Sequence, residues 1–212
     1  MIDKISSWKY AENFTQEPDH ISAARNSAEQ LGVESVTIAT GAGLASIAAM
    51  LAAKNIVEAG TGAGVSGLWL LSASDSSTLT TIDDEPEYQN QARTNFQLAK
   101  VPASRARVIT GRAAAVMANM TEAAYDLVFL DIDPFDLEQL VPHAIGLVKP
   151  SGAIVVSHAL WRDRVPNPSR DDETSAMRAV VRVFEESEEF ISSISMLGDG
   201  LLVAVRKPVA IS

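Results

Sequence analysis

The sequence predicts an α/β fold built on a doubly wound, mostly parallel sheet. Three observations carry that reading. Strand and helix patterns alternate from Asn55 onward, which calls for parallel strands joined by right-handed crossovers. A glycine-rich turn, Gly60 to Gly67, follows the first strand pattern and opens a helix. Near the end, Gly198-Asp199-Gly200 separates two strand patterns, a hairpin signal that adds one antiparallel strand.

The elements follow in order. Residues 1–53 read as a helical lead-in and 54–207 as the α/β core of a single domain. "IDKISSW" repeats apolar residues every three, "DHISAARNSAEQLG" opens on Asp19 and closes on Gly32 like a capped helix, and "GLASIAAMLAAK" is a third helix. "NIVEA" is then a strand, "VSGLWLLSAS" a helix, "TLTTID" a strand, and "EPEYQNQARTNFQLAK" a helix started by Pro86. "RARVIT", the short helix "AAAVMANM" and "YDLVFLDI" come next, the last a buried strand by its unbroken apolar run. "FDLEQLVPHAIGLV" is helical despite Pro142, and "GAIVVSHA" is the fifth strand. "WRDRVPNPSRDD" is the one long loop, beside the expected ligand edge of the sheet. The helix "DETSAMRAVVRVFEES" leads to the terminal hairpin, "EFISSISML" and "GLLVAVRK".

Composition narrows the function classes. A net charge of −10 over 212 residues argues against a nucleic-acid surface, which needs clustered Lys and Arg. Without cysteine there is no disulfide, zinc-thiolate site or catalytic thiol. The first residues, "MIDKISSWKY", carry charges where a signal peptide needs an apolar stretch. "GAGLASIAAMLAA" falls short of the ~20 residues that span a bilayer. A soluble, cytoplasmic protein with a small-molecule partner is the expectation.

The glycine turn has two readings. Gly62-Ala63-Gly64-Val65-Ser66-Gly67 spells the dinucleotide fingerprint G-x-G-x-x-G, yet Glu58 and Gly60 extend it to E-x-G-x-G-x-G. Either way a strand turns sharply while its backbone approaches a ligand, and Asp83, ending the second strand, accepts ribose hydroxyls in both. Glu58 discriminates. A carboxylate at this strand end disfavours pyrophosphate and suits a cofactor with a cationic amino-acid end, such as S-adenosylmethionine.

With these motifs in hand, the chain resembles the catechol and caffeoyl-CoA type O-methyltransferases. "NIVEAGTGAGVSGLWLL", "TIDDEPEYQNQARTNF", "YDLVFLDID", "VVSHALWRDRV" and "LGDGLLVAVRK" stand in that family's order, over roughly residues 30 to 207. The resemblance implies a Rossmann-like sheet of seven strands with the last antiparallel, and a homodimer. It further implies that Glu58, Gly60 and Thr61 line the methionine end, with Val36 from the N-terminal side. Ser66 would bond the cofactor from the following helix, Asp83 would hold the ribose, and Ala113 would sit by the adenine.

The family also uses a divalent metal, held by an Asp after strand four and an Asp-Asn pair after strand five, to acidify the acceptor hydroxyl. Here Asp131 keeps the first position, Ser157-His158 replaces the pair, Pro134 stands for a Lys and Leu137 for a Tyr. One carboxylate and a hydroxyl suit Mg²⁺ poorly, whereas an imidazole suits a transition metal. His158 is therefore open to three readings: a general base beside Asp131, since imidazole exchanges protons near neutral pH, a metal ligand with Asp131, or a strand-end residue satisfied by backbone. Trp161 either packs a flat substrate ring or anchors its loop. Arg162, Arg164 and Arg170 either attract an anionic substrate or are solvated. His20 and His143 read as surface residues, Met117 and Met120 as core fillers.

Two functions follow. The first is S-adenosylmethionine-dependent methyl transfer to a hydroxyl of a small aromatic or anionic acceptor. The second is a catalytically impaired cofactor-binding protein acting as a sensor or partner subunit.

Overall fold

The computed structural model of the protein describes residues 4–209. Three helices, α1 (Lys4–Glu12), α2 (Asp19–Gln30) and α3 (Ile38–Met50), precede the sheet. The alternating part runs β1 (Asn55–Ala59), α4 (Val65–Ser72), β2 (Thr78–Asp83), α5 (Pro86–Leu98), β3 (Ala106–Thr110), α6 (Ala113–Met117) and β4 (Tyr125–Leu130). It continues through α7 (Pro134–Leu147), β5 (Val148–Val156), α8 (Asp172–Glu185), β6 (Phe190–Ser195) and β7 (Leu201–Arg206).

The seven strands are ordered β3-β2-β1-β4-β5-β7-β6. β1 to β5 are parallel, and β7 runs antiparallel between β5 and β6. Chain order reverses between β1 and β4, the switch point where open α/β sheets leave a crevice at their carboxyl ends. β1 and the four strands beyond it on that side supply most of the sheet's own buried hydrophobic residues. Alternate residues point to opposite faces. Val57, Val128, Leu130, Ile154 and Val156 join one buried cluster with α7 and α8. Ile56, Leu127, Phe129, Ala153 and Val155 join another with α2, α3 and α4.

Local details differ from the sequence reading at a few boundaries. Asp19 is the first helical residue of α2, not its cap; Pro18 holds the cap position with no side-chain bond. The patterned run that predicts the first helix begins at Ile2, and its residues 2 and 3 lie outside the described region. α3 starts five residues before Gly43, capped by Thr37, whose hydroxyl accepts from Thr40 N. Gly41 lets α3 close on α4: a Cβ there would meet the Trp69 ring at 2.3 Å. Asp131 lies just past β4, and His158 two residues past β5. Met117 is buried and Met120 packs on the core, as fillers do. His20 is exposed, whereas His143 is half-buried on α7. Among the described residues, no helix is long and apolar enough to cross a membrane.

Candidate active site

The carboxyl ends of β1 to β5 converge on one cleft. Gly60 leaves β1 with φ +94°, and a Cβ there would fall 1.9 Å from the Asp131 carbonyl oxygen. Only glycine allows the two strand ends to approach this closely at the switch point. The Asp83 carboxylate braces the turn: Oδ2 accepts from Gly62 N at 2.9 Å and Oδ1 from Glu85 N at 3.1 Å. Two lobes open on either side. One, of about 250 Å³, is lined by Gly60, Asp83, Asp84, Arg112, Ala113 and Asp131, among others. The other, of about 200 Å³, is lined by Glu34, Val36, Thr61, Ser66 and Tyr88, and shares Gly60, Asp83 and Asp131 with the first.

Glu58, expected at the methionine end, sits directly behind the glycine turn. It lines neither lobe; it is fully buried beneath the turn. A chain of hydrogen bonds ends on it. Gln89 Nε2 donates to Thr61 Oγ1 at 2.9 Å, Thr61 and Thr81 share a 2.6 Å bond, and the Thr81 hydroxyl donates to Glu58 Oε2 at 2.6 Å. Glu58 Oε1 has no hydrogen-bond partner. Burial lifts the carboxyl from its ordinary 4.5 to about 7, against the opposing pull of the Ser66 and Thr81 hydroxyls.

A second cluster flanks the lobe lined by Glu34 and Val36. His158 Nε2 lies 3.5 Å from Asp131 Oδ1, and its Nδ1 lies 3.3 Å from Asp199 Oδ2. The Ser157 hydroxyl donates to the same Asp131 oxygen. Burial raises the Asp131 pKa, while His158 and Ser157 lower it and Glu34 adds to the rise. Asp199 is fixed in turn by Arg162 N, which donates to Oδ1 at 2.8 Å and Oδ2 at 2.7 Å. His158 itself adopts φ +54°, strained for a residue with a Cβ and therefore held by its surroundings. A cavity of about 80 Å³ joins His158 and Asp199 to Glu34, Ser35 and Val36 of the cleft.

The O-methyltransferase family profile matches residues 13–207. The chain belongs to the O-methyltransferase family. A Mycolicibacterium smegmatis protein named as an O-methyltransferase is 44% identical over 199 residues, covering 93% of this chain and 95% of the relative. A Corynebacterium glutamicum protein of solved structure superposes with a TM-score of 0.90 at 29% identity, over 99% of this chain and 100% of that one. The Bacillus cereus O-methyltransferase, solved in complex with SAH, shares the fold with a TM-score of 0.83 at 20% identity, over 94% and 96% of the two chains.

The family's metal is not matched by the side chains of this O-methyltransferase. Asp131 Oδ1 already takes the Ser157 hydroxyl and faces His158. Among the described residues, no group of three or more His, Cys, Asp or Glu is arranged to hold an ion.

Other expected residues fall away from the cleft. Trp161 packs on the core and lies edge-on to His158, with ring centroids 6.4 Å apart; it anchors the loop. Arg162 stacks over Trp161 at 5.8 Å, Arg164 faces Asp171 and Glu173 at 3.8 and 3.9 Å, and Arg170 is exposed. None of the three lines the cleft or the His158 cavity. Sequence reasoning missed Asp199 and Glu34. Asp199 was visible only as a turn residue, and Glu34 carried no signal at all.

Proposed function

We propose that this chain transfers the methyl group of S-adenosylmethionine to a hydroxyl of a small acceptor, with His158 taking the hydroxyl proton. The observation that carries the reading is the His158 imidazole, suspended between Asp131 and Asp199 where the cleft meets the small cavity. The cleft suits the cofactor. Both lobes meet at its glycine turn, where Gly60 lines each of them, and SAH occupies the Bacillus cereus protein. When bound, S-adenosylmethionine supplies a methyl whose bond to sulfur breaks as the acceptor oxygen forms its own.

Each side chain then has a task. Asp83 accepts the ribose hydroxyls, Ala113 borders the adenine, and Val36, Gly60, Thr61 and Ser66 border the methionine end. Glu58 acts from below, setting Thr61 through Thr81. Asp199 fixes the imidazole from Nδ1, which leaves Nε2 toward the cleft. Asp131 faces Nε2 and stabilises the imidazolium that forms on proton transfer. Such acid–base help contributes typically ~10²–10⁴-fold. On the family resemblance we also propose a homodimer with the helical lead-in at its interface; a monomer mass by light scattering would refute it.

The test is product analysis with a panel of phenols and S-adenosylmethionine in the presence of a chelator. Methyl ether formation supports the reading. SAH binding without any product supports the impaired, sensor-like protein instead.

A further inference from the structure

The loop between α2 and α3, residues 31–37, forms one wall of the cleft. Val33, Glu34, Ser35 and Val36 line the lobe beside the glycine turn, and the last three also line the His158 cavity. Val33 lies close on that turn: a Cβ at Gly62 would fall 3.1 Å from its Cγ1. The Val36 side chain is buried in the core. Among the described residues, however, the backbone of Glu34, Ser35 and Val36 takes part in a single hydrogen bond, from Arg25 Nη1 to Val36 O at 2.8 Å. Arg25 is itself clamped. Its Nε donates to Glu17 Oε2 at 3.0 Å and its Nη2 to Oε1 at 2.8 Å, and the Arg25 side chain is 19% exposed and that of Glu17 7%. The facing wall is tied to the same helix. Ser27 of α2 donates to Asn95 Oδ1 at 3.4 Å, and the buried Asn95 donates from Nδ2 to Ala63 O, on the glycine turn, at 2.9 Å.

We propose that Arg25, held by Glu17, is a positioning residue for the cofactor: it fixes the Val36 carbonyl and so pre-forms the wall against which the methionine end of S-adenosylmethionine binds. The inference rests on the proposed placement of that end beside Val36, Gly60 and Ser66. The guanidinium suits the task. One edge of its fork, Nε and Nη2, is occupied by the Glu17 carboxylate, and Nη1 remains for the carbonyl. Glu17 balances the charge that burial would otherwise leave alone, and its two oxygens set the plane of the fork. A loop already ordered loses less conformational freedom when its ligand arrives. The pair therefore contributes to affinity without touching the cofactor, since neither Arg25 nor Glu17 lines the cleft or the His158 cavity. With Asn95 holding Ala63 across the lobe, α2 fixes the gap between the two walls.

The experiment titrates SAH by calorimetry into the full chain as wild type, Arg25→Lys, Arg25→Ala and, for comparison, Arg105→Lys. Arg105 joins the carbonyls of Leu71, Ser74 and Ser77 at the opposite end of the sheet, so its replacement tests stability alone. Lysine at position 25 keeps a charge for Glu17, but one ammonium cannot span the carboxylate and the Val36 carbonyl as a fork does. The expected result is that Arg25→Lys binds SAH about tenfold more weakly while Arg105→Lys stays within about twofold of the wild type. Arg25→Ala should lose at least as much, and millimolar methylguanidinium should restore most of it where methylammonium does not. A guanidinium salt weakens a protein that is merely destabilised, so this rescue reads positioning and not stability. An Arg25→Lys affinity equal to the wild type's, an equal loss in Arg105→Lys, or an Arg25→Ala protein that methylguanidinium does not restore would each overturn the proposal. A wild-type protein that binds no SAH would sink the placement of the cofactor, and this inference with it.

Discussion

His158 Nδ1 lies 3.3 Å from Asp199 Oδ2 although 41 residues separate them. The register of the antiparallel pair brings them together. Val156 stands opposite Leu202, and the chain ends continue to pair as Ala159 N donates to Gly200 O and Leu160 N to Asp199 O, both at 3.0 Å. The β7 entry thus delivers a carboxylate to the imidazole at the mouth of the cleft.

Removing that carboxylate should separate orientation from chemistry. Asp199→Asn is expected to lower kcat by roughly tenfold or more, part of the ~10²–10⁴ that acid–base help supplies, with SAH affinity unchanged. Asp199→Ala, which also frees Arg162 N, should be worse. Steady-state kinetics beside SAH calorimetry measures both; an unchanged kcat in Asp199→Asn would mean that the contact is structural only.

His158→Gln should lose roughly 10²–10⁴-fold in rate while activity persists in chelator. Glutamine keeps a hydrogen-bonding end but cannot take a proton at this position. Activity abolished by chelator and restored by Mg²⁺, with His158→Gln largely active, would restore the metal mechanism and overturn ours.

Asp83→Ala should weaken SAH binding by roughly 1.5–3 kcal/mol, the range for hydrogen bonds to a charged group. The same change releases Gly62 N and Glu85 N from the carboxylate. Calorimetry is the check, and unchanged affinity would remove Asp83 from the ribose.

Glu58 makes stability fall as pH rises. Its folded pKa of about 7 exceeds the ordinary 4.5, so the folded protein keeps a proton that the unfolded chain has lost across that interval. The cost is absent below about pH 4.5 and complete above pH 7, on the order of 3 kcal/mol. Glu58→Gln should flatten this slope and be more stable than the wild type at pH 8. Denaturant unfolding of the cofactor-free protein at pH 5 and pH 8 measures the difference; parallel profiles would refute the burial of an ionisable group here.

Arg178 organises the loop after β5. Its guanidinium donates to the carbonyls of Val165 at 3.0 Å, Ser169 at 2.6 Å and Arg164 at 2.9 Å, and also to that of Asn167. Trp161, Arg162 and Asp163, at φ +45°, +55° and +59°, form a left-handed turn just before that stretch, held by Asp199 and by Trp161 N donating to His158 O at 2.8 Å and Arg164 N to Trp161 O at 3.0 Å. Arg178→Ala should cost about 1–3 kcal/mol and expose residues 159–170 to protease while the sheet stays folded. Arg178→Lys should behave alike, since one ammonium cannot span the carbonyls that a fork reaches. Limited proteolysis with mass mapping would show it.

What the sequence by itself determined was everything written in local pattern. The strands from NIVEA to GLLVAVRK are unbroken or alternating apolar runs, and the solvent-averse core leaves such runs few places to go. The glycine turn was legible because backbone at φ +94° tolerates no other residue well, and Asp83 because it ends a strand beside that turn. Glu58 was legible as unusual, but not as buried: a carboxylate at a strand end reads the same whether it faces ligand or lies beneath a threonine chain. Tertiary structure alone decided that, as it decided the pairing of His158 with Asp131 and Asp199. Those contacts depend on strand order and antiparallel register, which arise from the packing of segments far apart in the chain. It also decided that the arginines after β5 turn to Trp161, Asp171 and Glu173 and away from the cleft. Charge in a sequence has no direction until the backbone that carries it is folded.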